Sequence, residues 1–391
     1  MPEILNAEHI LRQLVGFDTT SHGSNLALIT WVEEYLTRHG VWHQRVQEHD
    51  ENGVGKTSLI ARIGPDIAGG IVLSGHTDVV PVTGQQWSGG EGAETAFTLT
   101  ERDGKLYGRG AADMKGFIAL ALAAVPQLVA QKLTHPVWLA LSHDEEIGCK
   151  CAVPMAQEFT ARNIQPALII VGEPTMMQVV DEHKGIDSFM TVIRGRAGHS
   201  SAPELGINAG YLMAELALVL RDINETQRAQ SETHSRFPTP HSTVHVGVFQ
   251  SGTARNIIPD HAELRFEVRP LPGADVATLL KPYEAKIAEL LKQHPGSTIT
   301  TERLMHVHGL KRDDAQASHL ALAMFLAGSN EDAAAVSYGT EGGAYGEYGF
   351  PTVICGPGSI AQAHGADEFI TRAQLEKGAA MLARIAAWAR N

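Results

Sequence analysis

Tyr107-Gly-Arg-Gly-Ala-Ala-Asp-Met-Lys-Gly116 sets one carboxylate, Asp113, among Gly108, Gly110 and Gly116, directly before the apolar run Phe117 to Val129. A stretch this rich in glycine is a tight turn, and tight turns beside regular elements are where binding and catalytic groups are placed. Upstream, His76-Thr-Asp78 follows the apolar run Ile71-Val-Leu-Ser; downstream, Asp144-Glu-Glu146 follows Trp138-Leu-Ala-Leu-Ser, and Gly172-Glu173-Pro174 follows Leu168-Ile-Ile-Val. Three strands therefore end in acid or imidazole. Ligands bind at the carboxyl ends of strands in open α/β sheets, so the pattern predicts an α/β fold with its donor groups gathered on one edge.

Outward from that stretch, helical and strand patterns alternate. Ile4 to Phe17 and Leu26 to His39 carry apolar residues at helical spacing, with Ser or Asn between them able to cap the second helix. Ser58 to Ile63 and Ile71 to Ser74 are short strands. Gly53-Val-Gly-Lys-Thr57 lacks the glycine that a phosphate-binding loop needs five residues before Gly55, where Asp50 stands, and is excluded as one. After a Gly- and Glu-rich excursion (Gly84 to Thr95), helix 117–131, strand 137–141, helix 151–162 and strand 167–171 alternate as in βαβ units. The central sheet is thus expected to be mixed or mostly parallel, with helices on both faces.

From Lys184 to Ser297 the pattern shifts to β-hairpin strands with two long helices, Ala209 to Asp222 and Val276 to Gln293. Strand and helix patterns resume at Ile299 to Arg303, Ala315 to Phe325, Thr352 to Cys355 and Thr371 to Ala387. The expected organisation is a catalytic domain in two parts, 1–183 and 298–391, with a smaller α+β domain, 184–297, inserted between them. Thr226 to Pro240, polar and ending in proline, is the least regular part of the insert. A chain of 391 residues has length for two such cores.

Composition narrows the function. The net charge of −13, without a basic run, argues against nucleic acid as a partner. No apolar stretch reaches the roughly 20 residues of a membrane span. The first residues lack a basic and apolar leader, so the expected location is the cytoplasm. Three cysteines, Cys149, Cys151 and Cys355, are too few and too odd for a disulfide framework. Cys149-Lys-Cys151 also lacks the two-residue gap of a redox or zinc pair, and reads as packed thiols.

A hydrolytic metal pair needs a carboxylate to hold two cations about 3.5 to 4 Å apart, further N and O ligands, and a free carboxylate to take a proton from water. His76, Asp113, Glu145, Glu146, Glu173 and His364 fill those roles. Adjacent Glu145 and Glu146 can diverge, one toward metal and one toward water. Any one of these acids alone could be capping a helix; together with two histidines, capping does not account for them. Asp78 is placed to hydrogen-bond the second ring nitrogen of His76 and fix its tautomer. His199, in Gly195-Arg-Ala-Gly-His-Ser-Ser201, is a candidate to polarise a carbonyl oxygen. Arg255, Asn256 and Arg269 are candidates for a substrate carboxylate, although an ordinary salt bridge accounts for Arg269 equally well.

The combination Gly-His76-Thr-Asp78-Val-Val-Pro, Gly-Arg-Gly-x-x-Asp113-Met-Lys-Gly, Asp-Glu145-Glu146, Gly-Glu173-Pro-Thr, Gly-Arg-Ala-Gly-His199-Ser-Ser-x-Pro, Asn256-Ile-Ile-Pro and Ala-His364 resembles the acetylornithine deacetylase and succinyl-diaminopimelate desuccinylase family of di-zinc metallohydrolases. The likeness runs from about residue 10 to the C-terminus. It implies two Zn2+ per subunit, with Co2+ or Mn2+ as substitutes: His76, Asp113 and Glu173 on one, Asp113, Glu146 and His364 on the other. It further implies Glu145 as general base, a cis bond between Asp113 and Met114, and a lid domain that forms a homodimer in which His199 can complete the partner's site. Asn256, Arg269 and the backbone near Gly356-Pro-Gly358 would hold substrate.

Gly172-Glu173-Pro-Thr, Glu182-His-Lys-Gly-Ile186 and Tyr338-Gly-Thr-Glu-Gly-Gly343 are most similar to the acetylornithine deacetylase branch, which serves arginine biosynthesis. Glu341 could then meet a substrate ammonium, or simply be an acid at a helix N-terminus. Two stretches depart from the family pattern: Ser88 to Ala96, and Gly-Ala-Asp-Glu after His364 in place of the more usual Thr/Asn-Pro-Asp-Glu. The expected function is removal of an acyl group, acetyl before others, from an N-acylated amino acid such as N-acetylornithine. A dipeptidase, carboxypeptidase or desuccinylase of the same family is the alternative, and a non-catalytic metal-dependent binding protein the remote one.

Overall fold

A computed structural model of the chain describes residues 5–51, 53–91, 93–231, 236–312 and 317–391. The backbone forms two compact units: Met1–Glu182 with Arg312–Ala334 and Thr340–Asn391, and His183–Lys311 with Ala335–Gly339.

The first unit opens with two amphipathic helices. Helix α1 (Ala7–Val15) buries Ile10, Leu11, Leu14 and Val15, and Asn6 caps it by accepting the His9 N–H at 2.8 Å. Helix α2 (Leu26–Arg38) buries Leu28, Ile29, Val32, Tyr35 and Leu36. Asn25 does not cap it: its amide is spent on Thr57 and Thr77, tying the helix start to the sheet. Strands β1 (Trp42–Glu51) and β2 (Val54–Ile63) make an antiparallel hairpin, and Gly53 to Thr57 is its turn and outgoing strand.

Next come β3 (Ile71–His76), helix α3 (Lys115–Val129), β4 (Val137–Ser142), helix α4 (Ala152–Ala161) and β5 (Leu168–Pro174). The sheet has eight strands in the order β1, β2, β4, β3, β5, Thr352–Gly356, Val180–His183, Ala334–Val336. Its centre is parallel, β4 with β3, β3 with β5, and β5 with Thr352–Gly356, while β1 and β2 add an antiparallel edge. Every residue of β3, β4 and β5 is buried, because helices cover both faces and side chains of either parity meet apolar partners. Mixed sheet and flanking helices agree with the α/β class read from the sequence. The expected helix 315–325 is found at Ala317–Ala327; residues 315 and 316 lie outside the described ones.

The second unit is a four-stranded antiparallel sheet, order β7, β8, β6, β9, built from β6 (Ile186–Arg194), β7 (Thr243–Ser251), β8 (His261–Arg269) and β9 (Thr298–Val307). Helices α5 (Ala209–Ala229) and α6 (Val276–Gln293) share its core through Leu216, Leu220, Phe266 and Tyr283. The boundary expected at 297 is corrected here. Strand β9 pairs with β6, Thr301 opposite Thr191, so the inserted unit runs on to Lys311. Apolar alternation marks a strand but does not say which sheet it joins. Thr226 to Ala229 is helical, and residues 232–235 of the stretch expected to be irregular lie outside the described ones. Among the described residues no helix is long and apolar enough to cross a membrane.

Candidate metal centre

Because β3, β4, β5 and Thr352–Gly356 run parallel, their carboxyl ends share one edge of the sheet. His76 ends β3, the Asp144-Glu145-Glu146 turn follows β4, and Glu173 lies near the end of β5. Asp113 reaches the same edge from the glycine-rich turn before α3, where the Asp113–Met114 peptide is cis.

Asp113 faces two imidazoles, one with each oxygen. Its Oδ1 is 3.0 Å from His76 Nε2 and its Oδ2 is 3.3 Å from His364 Nε2. Glu173 Oε1 lies 3.6 Å from His76 Nε2, and Glu146 Oε2 lies 3.0 Å from His364 Nε2. Two donor groups thus share Asp113 as their common carboxylate. His76 can also gather with Glu145 and Glu173, or with Asp113 and Glu146, so that the ligand atoms of each set lie within 4.8 Å of one another.

Electrostatics point to cations. Asp113, Glu145, Glu146 and Glu173 bring four carboxylates into one recess against two imidazoles. Burial pushes Glu145 up to about 8 against the opposing pull of His76, and burial also raises Glu146. Burial and then the charge of Asp113 hold Glu173 well above the usual carboxylate range, and its Oε1 has no hydrogen-bond partner among the described residues. His364 is raised to about 10 by its hydrogen bonds to Asp113 and Glu146, while His76, against its own burial, is raised by Glu173 and Asp113. Asp113, despite burial, is held low by those two histidines. Such a recess either retains protons or takes up positive charge. Two divalent cations would match the four acids, and imidazole with carboxylate is a donor set that accepts zinc, cobalt or manganese.

Asp78 does not do what its spacing suggests. The nitrogen of His76 that faces away from Asp113, Nδ1, meets the backbone carbonyl of Asp78 at 2.9 Å, whereas the Asp78 carboxylate is 3.6 Å away. That carboxylate instead accepts the N–H groups of Glu145 (3.2 Å) and Glu146 (3.3 Å) and the hydroxyl of Ser21 (2.7 Å). It fixes the backbone of the paired glutamates, and the carbonyl alone sets the His76 ring. Lys56, the lysine of the excluded phosphate-loop stretch, is buried and pairs with Asp144 at 2.6 Å, holding the same turn from its other end.

The sequence reading missed Glu368 and Arg109. The Glu368 carboxylate is buried and accepts the N–H groups of Gly110, Ala112 and Asp113 at 2.9 to 3.0 Å, and Arg109 pairs with it at 2.6 Å. It closes the Gly-Ala-Asp-Glu stretch after His364, whose Gly-Ala departs from the family pattern while its Asp-Glu keeps to it. Asp367 beside it accepts the N–H of Ser88, and Gln85 donates to the carbonyl of His364 at 2.8 Å. The two departing stretches therefore meet each other and hold the His364 loop.

Of the expected substrate contacts in the first unit, Gly358 donates its N–H to Gln374 at 3.2 Å, and its carbonyl accepts from Met176. Glu341 is buried, precedes the helix Gly342–Glu347 without capping it, and has Ser74 Oγ 3.4 Å from its Oε2. In the second unit, strand Gly198–His199 pairs with Ile257–Ile258, and Ser200 N–H donates to the Asn256 carbonyl, so His199, Arg255 and Asn256 come together. His199 is exposed, and its Nδ1 accepts the N–H of Ser201 at 3.2 Å, which places the proton of the neutral ring on Nε2. Arg269 ends β8 away from them and pairs with Glu267 at 3.0 Å, the ordinary salt bridge.

A mixed α/β sheet with a carboxylate-centred donor set on its carboxyl edge defines the class: a metal-dependent hydrolase. The chain belongs to Peptidase family M20/M25/M40, whose family model matches residues 72–388. It is 35% identical over 360 residues to an acetylornithine deacetylase of Proteus mirabilis (strain HI4320), covering 92% of this chain and 89% of that protein. It is 34% identical to one of Myxococcus xanthus, covering 96% of each. In fold it is similar to a tripeptidase of Staphylococcus aureus, with TM-score 0.75, 19% identity and 100% of both chains covered. A metallo-carboxypeptidase of Sulfolobus solfataricus matches with TM-score 0.74 and 16% identity over 99% of both chains.

Proposed function

We propose that this protein hydrolyses the amide of an N-acylated amino acid, N-acetylornithine before others, releasing acetate and the free amine. The observation that carries the reading is the facing of Asp113 to both His76 and His364, with the half-buried Glu145 beside His76. In this reading His76, Asp113 and Glu173 hold one cation, and Asp113, Glu146 and His364 the other. Zinc is the metal proposed, with cobalt or manganese able to replace it. When bound, the ions supply Lewis acidity that polarises the amide carbonyl and makes water a better acid.

The chain's own residues do the rest. Glu145 takes a proton from the attacking water and delivers it to the departing nitrogen, a task suited to a carboxyl raised toward neutrality. Asp78 holds Glu145 and Glu146 in place through their backbone N–H groups. His199, whose Nε2 is a donor, is assigned to the developing oxyanion, and Asn256 and Arg255 to the substrate's polar groups, on their sequence pattern and mutual proximity. The choice of acetyl and of ornithine is supported by the relatives just named. A cytoplasmic homodimer acting in arginine biosynthesis belongs to the same proposal.

The test is turnover by metal-loaded enzyme on N-acetylornithine, N-acetylcitrulline, N-acetylmethionine, N-succinyl-diaminopimelate and several dipeptides, each with a chelator control. Chelator-sensitive preference for acetylated basic amino acids supports the reading. Faster hydrolysis of a succinyl substrate or a dipeptide overturns the substrate and keeps the hydrolase; tight binding with no turnover on any of them overturns both.

A further inference from the structure

We infer that Cys149 is a positioning residue for Glu145: its thiol donates to one carboxylate oxygen and leaves the other directed at the reacting water. This rests on the assignment of Glu145 as base. The Sγ to Oε1 distance is 3.2 Å, within reach of a thiol donor. Among the described residues no other group donates to the Glu145 carboxylate, so its orientation depends on this contact.

The backbone supports it. The N–H groups of Gly148 and Cys149 both donate to the Glu145 carbonyl, at 2.9 and 2.7 Å, folding the chain back so that residue 149 lies over residue 145. Cys149 takes a φ of +51°, a left-handed conformation that glycine or asparagine adopts at lower cost. A side chain with a Cβ at that position is accounted for by what the side chain touches. The other two thiols are engaged elsewhere, Cys151 with His143 at 3.0 Å and Cys355 against the Met177 carbonyl. Burial, with the negative charge of Glu145 and Glu341, keeps the Cys149 thiol protonated, so it serves as a donor rather than a nucleophile.

Glu145 is therefore held at two points, its N–H by Asp78 and its carboxylate by Cys149.

The experiment compares Cys149→Ala and Cys149→Ser with the unaltered metal-loaded enzyme. Metal content, melting temperature, kcat and KM are measured on whichever amide is turned over fastest, with Glu145→Gln alongside. For Cys149→Ala the expected result is an approximately tenfold fall in kcat with KM and metal content unchanged. Cys149→Ser, which keeps a donor, should recover most of the rate. Equal losses in both variants, or an unmoved kcat in Cys149→Ala, would overturn the inference. If Glu145→Gln itself keeps turnover, the base assignment fails; an inactive Glu145→Gln beside an unaffected Cys149→Ala refutes the positioning role alone.

Discussion

The Glu368 carboxylate accepts the backbone N–H of Asp113 at 3.0 Å, so the acid that faces both imidazoles is itself held from behind by a second acid. One Glu368 oxygen serves Ala112 and Asp113, while the other serves Gly110 and the Arg109 guanidinium. The glycine-rich turn is thereby tied to the segment that carries His364.

Replacing Glu368 by alanine should be strongly destabilising. It strands a buried Arg109 and three backbone donors, and breaking a buried ion pair from one side costs about 3 to 5 kcal/mol. Chemical unfolding should show a loss of that size, and metal content per subunit should fall with it because the Asp113 turn loses its support. Glu368→Gln, which keeps acceptor capacity, should lose less. Unchanged stability in the alanine variant would remove the clamp role.

Replacing Glu145 by glutamine should leave the metal in place and remove most turnover. The amide is close in shape but cannot accept a proton, and general base catalysis is worth about 10² to 10⁴ in rate. Metal analysis alongside kcat separates this from damage to the cation site. Residual kcat above roughly a tenth of the original would refute the base assignment.

Strand-end acids and histidines were legible because their function requires them at a glycine-rich turn or just past an apolar run, and both are visible in one dimension. The parallel core was legible for the same reason: β3, β4 and β5 each begin with an apolar run, Ile71-Val-Leu, Val137-Trp-Leu-Ala-Leu and Leu168-Ile-Ile-Val. Connections between distant segments were not. Glu368 stands 255 residues from Asp113, and nothing local distinguishes it from a surface acid. Asp78 was assigned to the His76 ring by its spacing, but the backbone carbonyl met the ring first and released the carboxylate for Glu145 and Glu146. Strand β9 is legible as a strand from its alternation, but the unit it joins is not, since register with β6 is a property of the fold rather than of either segment.

The metal-free protein should lose stability as pH rises from about 4.5 toward 8. Glu145 in the folded state holds its proton up to about 8, whereas the unfolded chain releases it near 4.5, so stability is fully present below the lower value and is lost through the upper one. Glu146 and Glu173, also raised, act in the same direction, as do His76 and His364, whose protonated forms the fold favours. Bound divalent cations replace those protons and should flatten the dependence. Melting temperature of chelated and metal-loaded protein across this range checks both halves; a chelated protein that becomes more stable with rising pH would contradict the account.

Gly356→Ala should damage the centre although the residue carries no donor side chain. Strand Thr352–Gly356 approaches the tip of β5 so closely that a Cβ on Gly356 would lie 2.0 Å from the Gly172 carbonyl oxygen and 2.6 Å from that of Glu173. The clash is with backbone atoms of β5, which no side-chain rotation can relieve, so β5 must shift and carry Glu173 away from His76. Overpacking of this kind costs about 1 to 3 kcal/mol, which chemical unfolding would register together with reduced metal content. Gly365→Ala is the matched control: it adjoins His364, but a Cβ there meets nothing within 4 Å. It should leave stability and metal content near their original values. Equal effects at both glycines would mean that closeness in sequence to a donor residue matters, and not the contact between the strand tips.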